Sequence, residues 1–385
     1  MESKEFARRG REKQPVLAIC YDFDKTLSPD DMQAQGYIQS LQYEVDSFWK
    51  ESNELARRND MDQNLAYMYK MVHEAEGRII VTRQKLQQYG AGVRLFDGVD
   101  TWFQRIRDYG RQKGVIVEHY IISSGLKEMI EGTRVVHEFE KIYANSFYYN
   151  DRGVAVWPAQ VINYTNKTQF LFRISKGVLE YNDPGVNEYF SPDEIRVPFQ
   201  NIAYIGDSDT DIPCMKLVNS RGGHSIGVFD AQTMDKTKVY KMMHDKRVNY
   251  FVPADYRAGS ALDKLIKSII DYTGTYDVLK QVSFACMEET QRAEKSQSDI
   301  QRRKTKCIMH LESSDSFAST HTSIKELAQF AEWTPEERTR LVQIGLHNKQ
   351  VSYILSDADV AAFYQQLIGI ACNAAEQKLL ARIKS

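Results

Sequence analysis

The stretch VLAICYDFDKT, Val16–Thr26, decides how the rest of the chain is read. Its first part, VLAICY, is a nearly continuous apolar run of strand length that breaks abruptly into the acidic DFD, as a strand buried on both faces of a parallel sheet does. Asp22 and Asp24 stand two apart after that strand, so both carboxylates point to one side. At a strand's carboxyl end that side can be the cleft where α/β sheets bind ligands. An acidic strand-to-loop transition or an Asx turn would look the same.

Three further runs share this character: VIVEHYIISSG (Val115–Gly125), NIAYIGD (Asn201–Asp207) and HSIGVFD (His224–Asp230). Helical patterns separate them, around Trp102–Tyr109 and Lys127–Phe139, so the fold class expected is α/β with a mostly parallel sheet. Two insertions interrupt the alternation. Residues 30–92 carry helical spacing (Leu65, Met68, Tyr69, Val72) and almost no strand signal, which predicts an inserted helical cap between the first two core strands. IYANSFYY, NDRG and VAVWP predict a β-hairpin near 141–162 that belongs to the core. Strand signals stop after VPADY (Val252–Tyr256), and 275–385 reads as a helical C-terminal extension. There Thr334-Pro335-Glu336-Glu337 has the form of a capping box opening a helix to about Leu346, and Ser356–Asp359 resembles a second helix start. Residues 291–323, rich in Ser, Gln, Lys and Arg, are expected to hold a mobile connector.

With 385 residues and 42% hydrophobic content the chain suffices for two domains or one enlarged domain with an appendage. Fifty basic against 52 acidic side chains leave a net charge of -2, which argues against nucleic acid or an acidic membrane surface as partner. The cluster Arg302, Arg303, Lys304, Lys306 is accordingly expected to be a solvated face. Cys20, Cys214, Cys286, Cys307 and Cys372 form no CxxC pair, which fits a reducing compartment better than a disulfide framework or zinc site. The N-terminus lacks an apolar h-region and no run approaches the roughly 20 apolar residues of a membrane span, so a cytoplasmic location is expected.

The acidic pair has companions at other strand ends and helix starts. Ser123-Ser124-Gly125 ends the second core strand, where hydroxyls and backbone N–H groups can hold an anion. Lys167 in NKTQFLF opens a helix and could neutralise phosphoryl oxygens. Gly206-Asp207-Ser208-Asp209-Thr210-Asp211 follows the NIAYI strand and places two carboxylates four residues apart. Hard oxygen ligands of this kind suit Mg²⁺ beside a substrate phosphate.

These four motifs, in this order, resemble those of the haloacid-dehalogenase-like (HAD) phosphohydrolase superfamily, particularly its phosphoserine-phosphatase-like branch. DFDKT resembles its first motif, SSG its second, the lysine of NKT its third and GDSDTD its fourth. The resemblance implies a Rossmann-like three-layer sandwich, with 1–29 and 93–274 as catalytic core, and lies outside 275–385. It implies Asp22 as nucleophile and Asp24 as general acid and base. Ser123, Ser124, Gly125 and Lys167 then bind phosphate, while Asp22, the backbone carbonyl of Asp24, Asp207 and Asp211 make the Mg²⁺ site. Many relatives have Gly where this chain has Ser208, a small change for a loop. Lys176 in RISKG rivals Lys167, which is favoured because it opens the helix that Lys176 closes. Asp209, between the matched aspartates, is expected to be solvated.

Elementary chemistry supports the same assignment. A phosphate ester and a carboxylate repel, so an aspartate nucleophile needs a cation and a lysine to offset charge on the transferring group. An acyl-phosphate then divides one difficult displacement into two easier ones. For other candidates the structural reading is preferred. The histidines, His119, His137 and His224 among them, lack metal-ligand spacing. Cys214 reads as a packed side chain, Gly222-Gly223 as a turn, and the tyrosines near Tyr67–Tyr69 and Phe147–Tyr149 as packing.

The function expected is therefore Mg²⁺-dependent hydrolysis of a small phosphomonoester through an aspartyl-phosphate. The alternative is a phosphate-responsive binding protein whose HAD core senses the ligand and whose C-terminal helices bind a protein partner or a second copy through 275–385. Substrate identity would rest with the cap, which offers Tyr37, Gln39, Trp49, Arg57, Arg58 and Tyr69. Phosphoserine is only the suggestion of analogy.

Overall fold

A computed structural model describes residues 6–296, 299–370 and 373–384, and side chains outside 293–299; Cys372 lies outside the described residues. The chain forms two compact units, residues 1–279 and 280–385.

The first unit is built on seven strands: β1 Val16–Tyr21, β2 Ile116–Leu126, β3 Lys141–Tyr149, β4 Ala155–Gln160, β5 Ile202–Gly206, β6 His224–Phe229 and β7 Tyr250–Pro253. They lie in the order β4-β3-β2-β1-β5-β6-β7. All neighbours are parallel except the edge strand β4, antiparallel to β3. The chain builds outward from β1 through β2 and β3, then returns to the other side of β1 with β5. The β1/β5 junction is thus the topological switch point, where α/β sheets open a crevice beyond their carboxyl ends.

Alternation along β1 explains its continuous apolar run. Leu17, Ile19 and Tyr21 enter one hydrophobic cluster, and Val16, Ala18 and Cys20 enter another on the opposite face. Such a strand must be covered on both sides. Truncating Ile19 to alanine would cost about 2–5 kcal/mol.

The helices of this unit are α1 Tyr37–Ser40, α2 Val45–Arg58, α3 Gln63–Ala75, α4 Arg83–Ala91, α5 Val99–Gln112, α6 Lys127–Gly132, α7 Thr168–Lys176, α8 Ile212–Ser220, α9 Thr237–His244 and α10 Ala261–Ser296. Helix α5 buries Val99, Trp102, Phe103 and Ile106 at helical spacing against the face that carries Leu17 and Ile19. On the other face Phe170 and Ile174 of α7 join Met215 and Val218 of α8. The inserted segment is helical as expected, α1 to α4. Its Phe48, Met68 and Met71 share the core cluster of α5.

Three readings need correction. The hairpin is present, but β3 is also a sheet strand: Tyr120, Ile121 and Ile122 of β2 pair in parallel with Lys141, Ile142 and Tyr143. Its tyrosines and Asn145 masked a strand whose first half is buried.

The second unit contains α11 Asp299–Glu312, α12 Phe317–Leu327, α13 Pro335–His347, α14 Lys349–Tyr353, α15 Ala358–Ile368 and α16 Ala374–Lys384. Its core gathers Cys307, Leu311, Ile324, Leu341, Phe363 and Leu379. Residues 291–323 are therefore not a connector but largely α10, α11 and α12, with 297–298 outside the described residues. Gln, Lys and Arg are good helix formers, and their polarity hid the buried stripe Cys307, Ile308, Leu311. Within the basic cluster Lys304 is likewise not solvated: it is buried against Glu337 at 3.2 Å and over the Trp333 ring. The capping box holds, with Thr334 Oγ1 accepting from Glu337 N–H at 3.2 Å and Glu337 Oε2 accepting from Thr334 N–H at 3.0 Å.

Among the described residues no helix is long and apolar enough to cross a membrane.

Candidate active site

At the end of β1 the chain stays in the sheet for one more bond, Asp22 N–H to the Ile205 carbonyl at 2.9 Å, and then turns. The Phe23 carbonyl accepts from Thr26, Leu27 and Ser28 N–H groups, at 3.3, 2.9 and 3.1 Å. Lys25 closes this tight loop at φ 56, a left-handed conformation that costs a non-glycine residue of order 1 kcal/mol. Tyr256, just past β7, holds the loop from behind, its hydroxyl donating to the Thr26 carbonyl at 2.8 Å.

The turn sets Asp22 and Asp24 in different surroundings. Asp22 Oδ1 accepts from Phe23 N–H at 2.8 Å. Asp24 Oδ1 accepts from Met32 N–H at 2.8 Å, tying it to the first residues of the cap. Its other oxygen lies against Gly125, where a Cβ would stand 2.9 Å from Asp24 Oδ2 and 2.3 Å from Met32 Cε. A side chain at Gly125 would therefore push on the Met32 tip and the Asp24 carboxyl. Ser123 is fully buried and its Oγ accepts from Gly125 N–H at 3.0 Å, whereas the Ser124 hydroxyl donates to the Ile162 carbonyl at 3.0 Å.

The β5 loop supplies the remaining acids. Asp211 packs over Gly206, where a Cβ would stand 2.5 Å from Asp211 Oδ2. That oxygen accepts from Ser208 N–H and Oγ at 3.2 and 3.1 Å, and Oδ1 accepts from the Tyr204 hydroxyl at 2.8 Å. Lys167, at the start of α7, is fully buried and reaches both sides, 2.8 Å from Asp211 Oδ1 and 3.5 Å from Asp22 Oδ2. Lys176 instead donates to the carbonyls of Val186 and Glu188, at 2.7 and 2.6 Å.

Asp22, Asp207 and Asp211 each offer an oxygen within 4.8 Å of the others, the one such His/Cys/Asp/Glu group among the described residues. Burial and the nearby Asp211 push Asp22 up to about 7, with Lys167 pulling the other way. Burial, with Asp31 and Asp22 close by, holds Asp24 well above the carboxylate range. Burial also raises Asp207, beside Asp211 and Asp22. Lys167 is raised despite burial, because Asp211 and Asp22 hold its proton. Lys167, even with Lys25 and Lys238 at the cavity, does not offset these acids, since Asp22, Asp24 and Asp207 all stay raised. A divalent cation with hard oxygen preference fits this donor set.

A cavity of about 210 Å³ opens over these groups, bounded on the core side by Asp22, Asp24, Ser123, Gly125 and Asp207. Of the sequence-predicted site residues, Asp22, Asp24, Ser123, Ser124, Gly125 and Asp207 line this cavity; Lys167 and Asp211 do not and are fully buried, Lys167 lying 3.5 Å from Asp22, while Asp209 is exposed. Several cavity residues carried no signal as separate letters. Gln33, Asn64, Tyr67 and Lys238 line the space, and Tyr204 fixes Asp211 from below. Tyr204 alone had a readable cue, a polar-tipped ring in an otherwise aliphatic strand three residues before Asp207. Of the cap residues named from sequence, Trp49 reaches the cavity. Tyr37 is buried with its hydroxyl on the Met71 carbonyl, and Tyr69 is exposed beside a separate apolar hollow.

No protein-family model matches this chain. An uncharacterized protein of Borreliella burgdorferi is 25% identical over 278 residues, covering 65% of this chain and 95% of that protein. Among solved structures, a HAD family hydrolase from Salmonella enterica serovar Typhi is 16% identical with a TM-score of 0.44, covering 67% of this chain and 74% of that one. A probable phosphoserine phosphatase from Vibrio cholerae is 12% identical with a TM-score of 0.45, covering 69% and 67%. A substrate-bound phosphoserine phosphatase is 13% identical with a TM-score of 0.42, covering 67% and 99%.

Proposed function

We propose that this chain is a Mg²⁺-dependent phosphomonoester hydrolase of HAD type. The observation that carries the reading is the buried set Asp22, Asp207, Asp211 and Lys167 at the sheet's switch point, with Asp24, which burial raises well above the carboxylate range, beside it. Asp22, Asp207, Asp211 and the Asp24 carbonyl would make the cation site, with Asp211 also anchoring Lys167. Bound there, Mg²⁺ supplies charge neutralisation for the phosphoryl oxygens.

Lys167 and the Ser123–Gly125 turn would seat those same oxygens. Asp22 attacks phosphorus, the bond to the leaving oxygen breaks, and Asp24 gives that oxygen its proton. Asp24, now a carboxylate, takes a proton from water as the water attacks phosphorus. Phosphate leaves, Asp22 is regenerated, and Asp24 again holds a proton.

A phosphate-responsive binder would need the cation and the lysine but has no use for a protonated carboxyl group at Asp24. The test is hydrolysis of p-nitrophenyl phosphate by the purified protein: turnover with Mg²⁺, lost with EDTA and restored by added Mg²⁺, is expected. Tight phosphate binding without turnover under any divalent cation would reject the enzyme in favour of the binder.

A further inference from the structure

The cavity's two walls differ in chemistry, and the difference bears on what the phosphoryl group is attached to. On the core side stand Asp22, Asp24 and Asp207, with the buried Lys167 3.5 Å from Asp22. The cap contributes Gln33, Trp49, Asn64 and Tyr67, all uncharged, together with Asp31. Asp31 is paired with Lys25 at 2.9 Å. The other cation at the cavity, Lys238, lies 4.0 Å from Asp207, at the phosphoryl end.

None of the cap's own cations faces this space. Arg57 lines a different hollow, Arg58 pairs with Glu54, and Arg83 pairs with Glu131. Lys70 is held by Glu51 and Glu74 at 2.7 and 3.1 Å. A leaving group with a carboxylate would have to draw Lys25 away and leave Asp31 facing the new negative charge. Burying a charge without a partner is costly, whereas hydroxyls need only hydrogen bonds.

The cap wall offers those. Asn64 Nδ2 donates to the Ile162 carbonyl at 2.7 Å, which leaves Oδ1 as an acceptor. Gln33 is 2% exposed, and its side chain makes no hydrogen bond among the described residues, so a donor and an acceptor remain for a ligand. Tyr67 is already saturated, donating to the Ser124 carbonyl and accepting from Asn145. The Trp49 ring lies T-shaped to Tyr67 at 5.7 Å and lines the cavity, its buried Nε1–H without a partner among the described residues. At about 210 Å³ the space is below the roughly 300–1,000 Å³ of drug-sized pockets, so the leaving group is small.

We propose, resting on the phosphomonoesterase reading, that the substrate is the phosphomonoester of a small uncharged polyol. Gln33 and Asn64 read its hydroxyls and Trp49 packs on its carbon skeleton.

The test assays the full-length protein with Mg²⁺ against glycerol phosphate, phosphoglycerate, phosphoserine and p-nitrophenyl phosphate. The first three match in size and differ in the charge on the leaving group. The expected result is a kcat/KM for glycerol phosphate at least about tenfold above both charged esters. Gln33→Arg should shift preference toward phosphoglycerate by supplying the missing cation. Turnover of p-nitrophenyl phosphate with either charged ester equal to or better than glycerol phosphate overturns the inference and leaves the phosphatase reading standing. No turnover of any of the four, the aryl ester included, removes that reading and the inference with it.

Discussion

Asp211 shows how much a single buried carboxylate organises. It receives Lys167, Tyr204 and Ser208, and Lys167 has no exposure through which water could replace it. Asp211→Asn leaves that ammonium with Asp22 at 3.5 Å as its remaining carboxylate and the Thr210 hydroxyl at 3.4 Å. Breaking one side of a buried pair costs about 3–5 kcal/mol, so a clear drop in the urea midpoint is expected together with loss of turnover. Tyr204→Phe removes one hydrogen bond to the same oxygen and should cost only about 1 kcal/mol. Equal midpoints for Asp211→Asn and the wild type would show that Lys167 does not depend on it. Asp24 makes a kinetic claim at the same scale. Its Asn variant should lose about 10² to 10⁴ in kcat/KM on alkyl phosphates and less on aryl phosphates, whose leaving oxygen needs no proton. A uniform loss across leaving groups would contradict the general-acid role. The candidate site aspartates and Ser123 were legible because α/β sheets put such residues at strand ends. Gln33, Asn64 and Tyr67 were not, since they reach the cavity only once the cap folds back on the core.

At the level of elements, β1 and β2 are joined by a polar thread in an apolar layer. Trp102 Nε1 donates to the Tyr21 hydroxyl at 2.8 Å, and that hydroxyl shares a hydrogen bond with His119 Nδ1 at 2.9 Å. Burial first, and then Arg107, hold the His119 pKa well below 6.5. The unfolded chain therefore binds a proton below about pH 6.5 that the folded chain refuses. Stability from this group is full above that pH and falls as pH drops from there toward the folded pKa. His119→Gln should flatten this part of the profile, read as the difference in unfolding free energy between pH 7.5 and pH 5.5; an unchanged slope would rule the group out. The order and class of most elements could be read from periodicity. Two could not: β3, where tyrosines and Asn145 interrupt the apolar run, and α11, whose buried side is a narrow stripe among Gln, Lys and Arg. Composition overrode pattern in both.

For the whole molecule, residues up to 279 form the unit that contains all the site residues, and 280–385 form another with a core of its own. A fragment ending at Leu279 should keep the Mg²⁺-dependent aryl phosphatase activity of the full chain; loss of activity in a soluble, folded fragment would assign 280–385 a part in catalysis. The near-zero net charge gave no hint of the site, because the acids gathered around Lys167 are cancelled in the total by lysines and arginines elsewhere. The proposed mechanism requires covalent attachment of phosphoryl to Asp22. The most direct measurement is mass spectrometry of peptides from Asp24→Asn protein quenched in acid during turnover of p-nitrophenyl phosphate with Mg²⁺. One phosphoryl group on the peptide bearing Asp22, absent from an Asp22→Asn control, is the expected result. Steady turnover with an unmodified Asp22 peptide, or activity retained by Asp22→Asn, would contradict it.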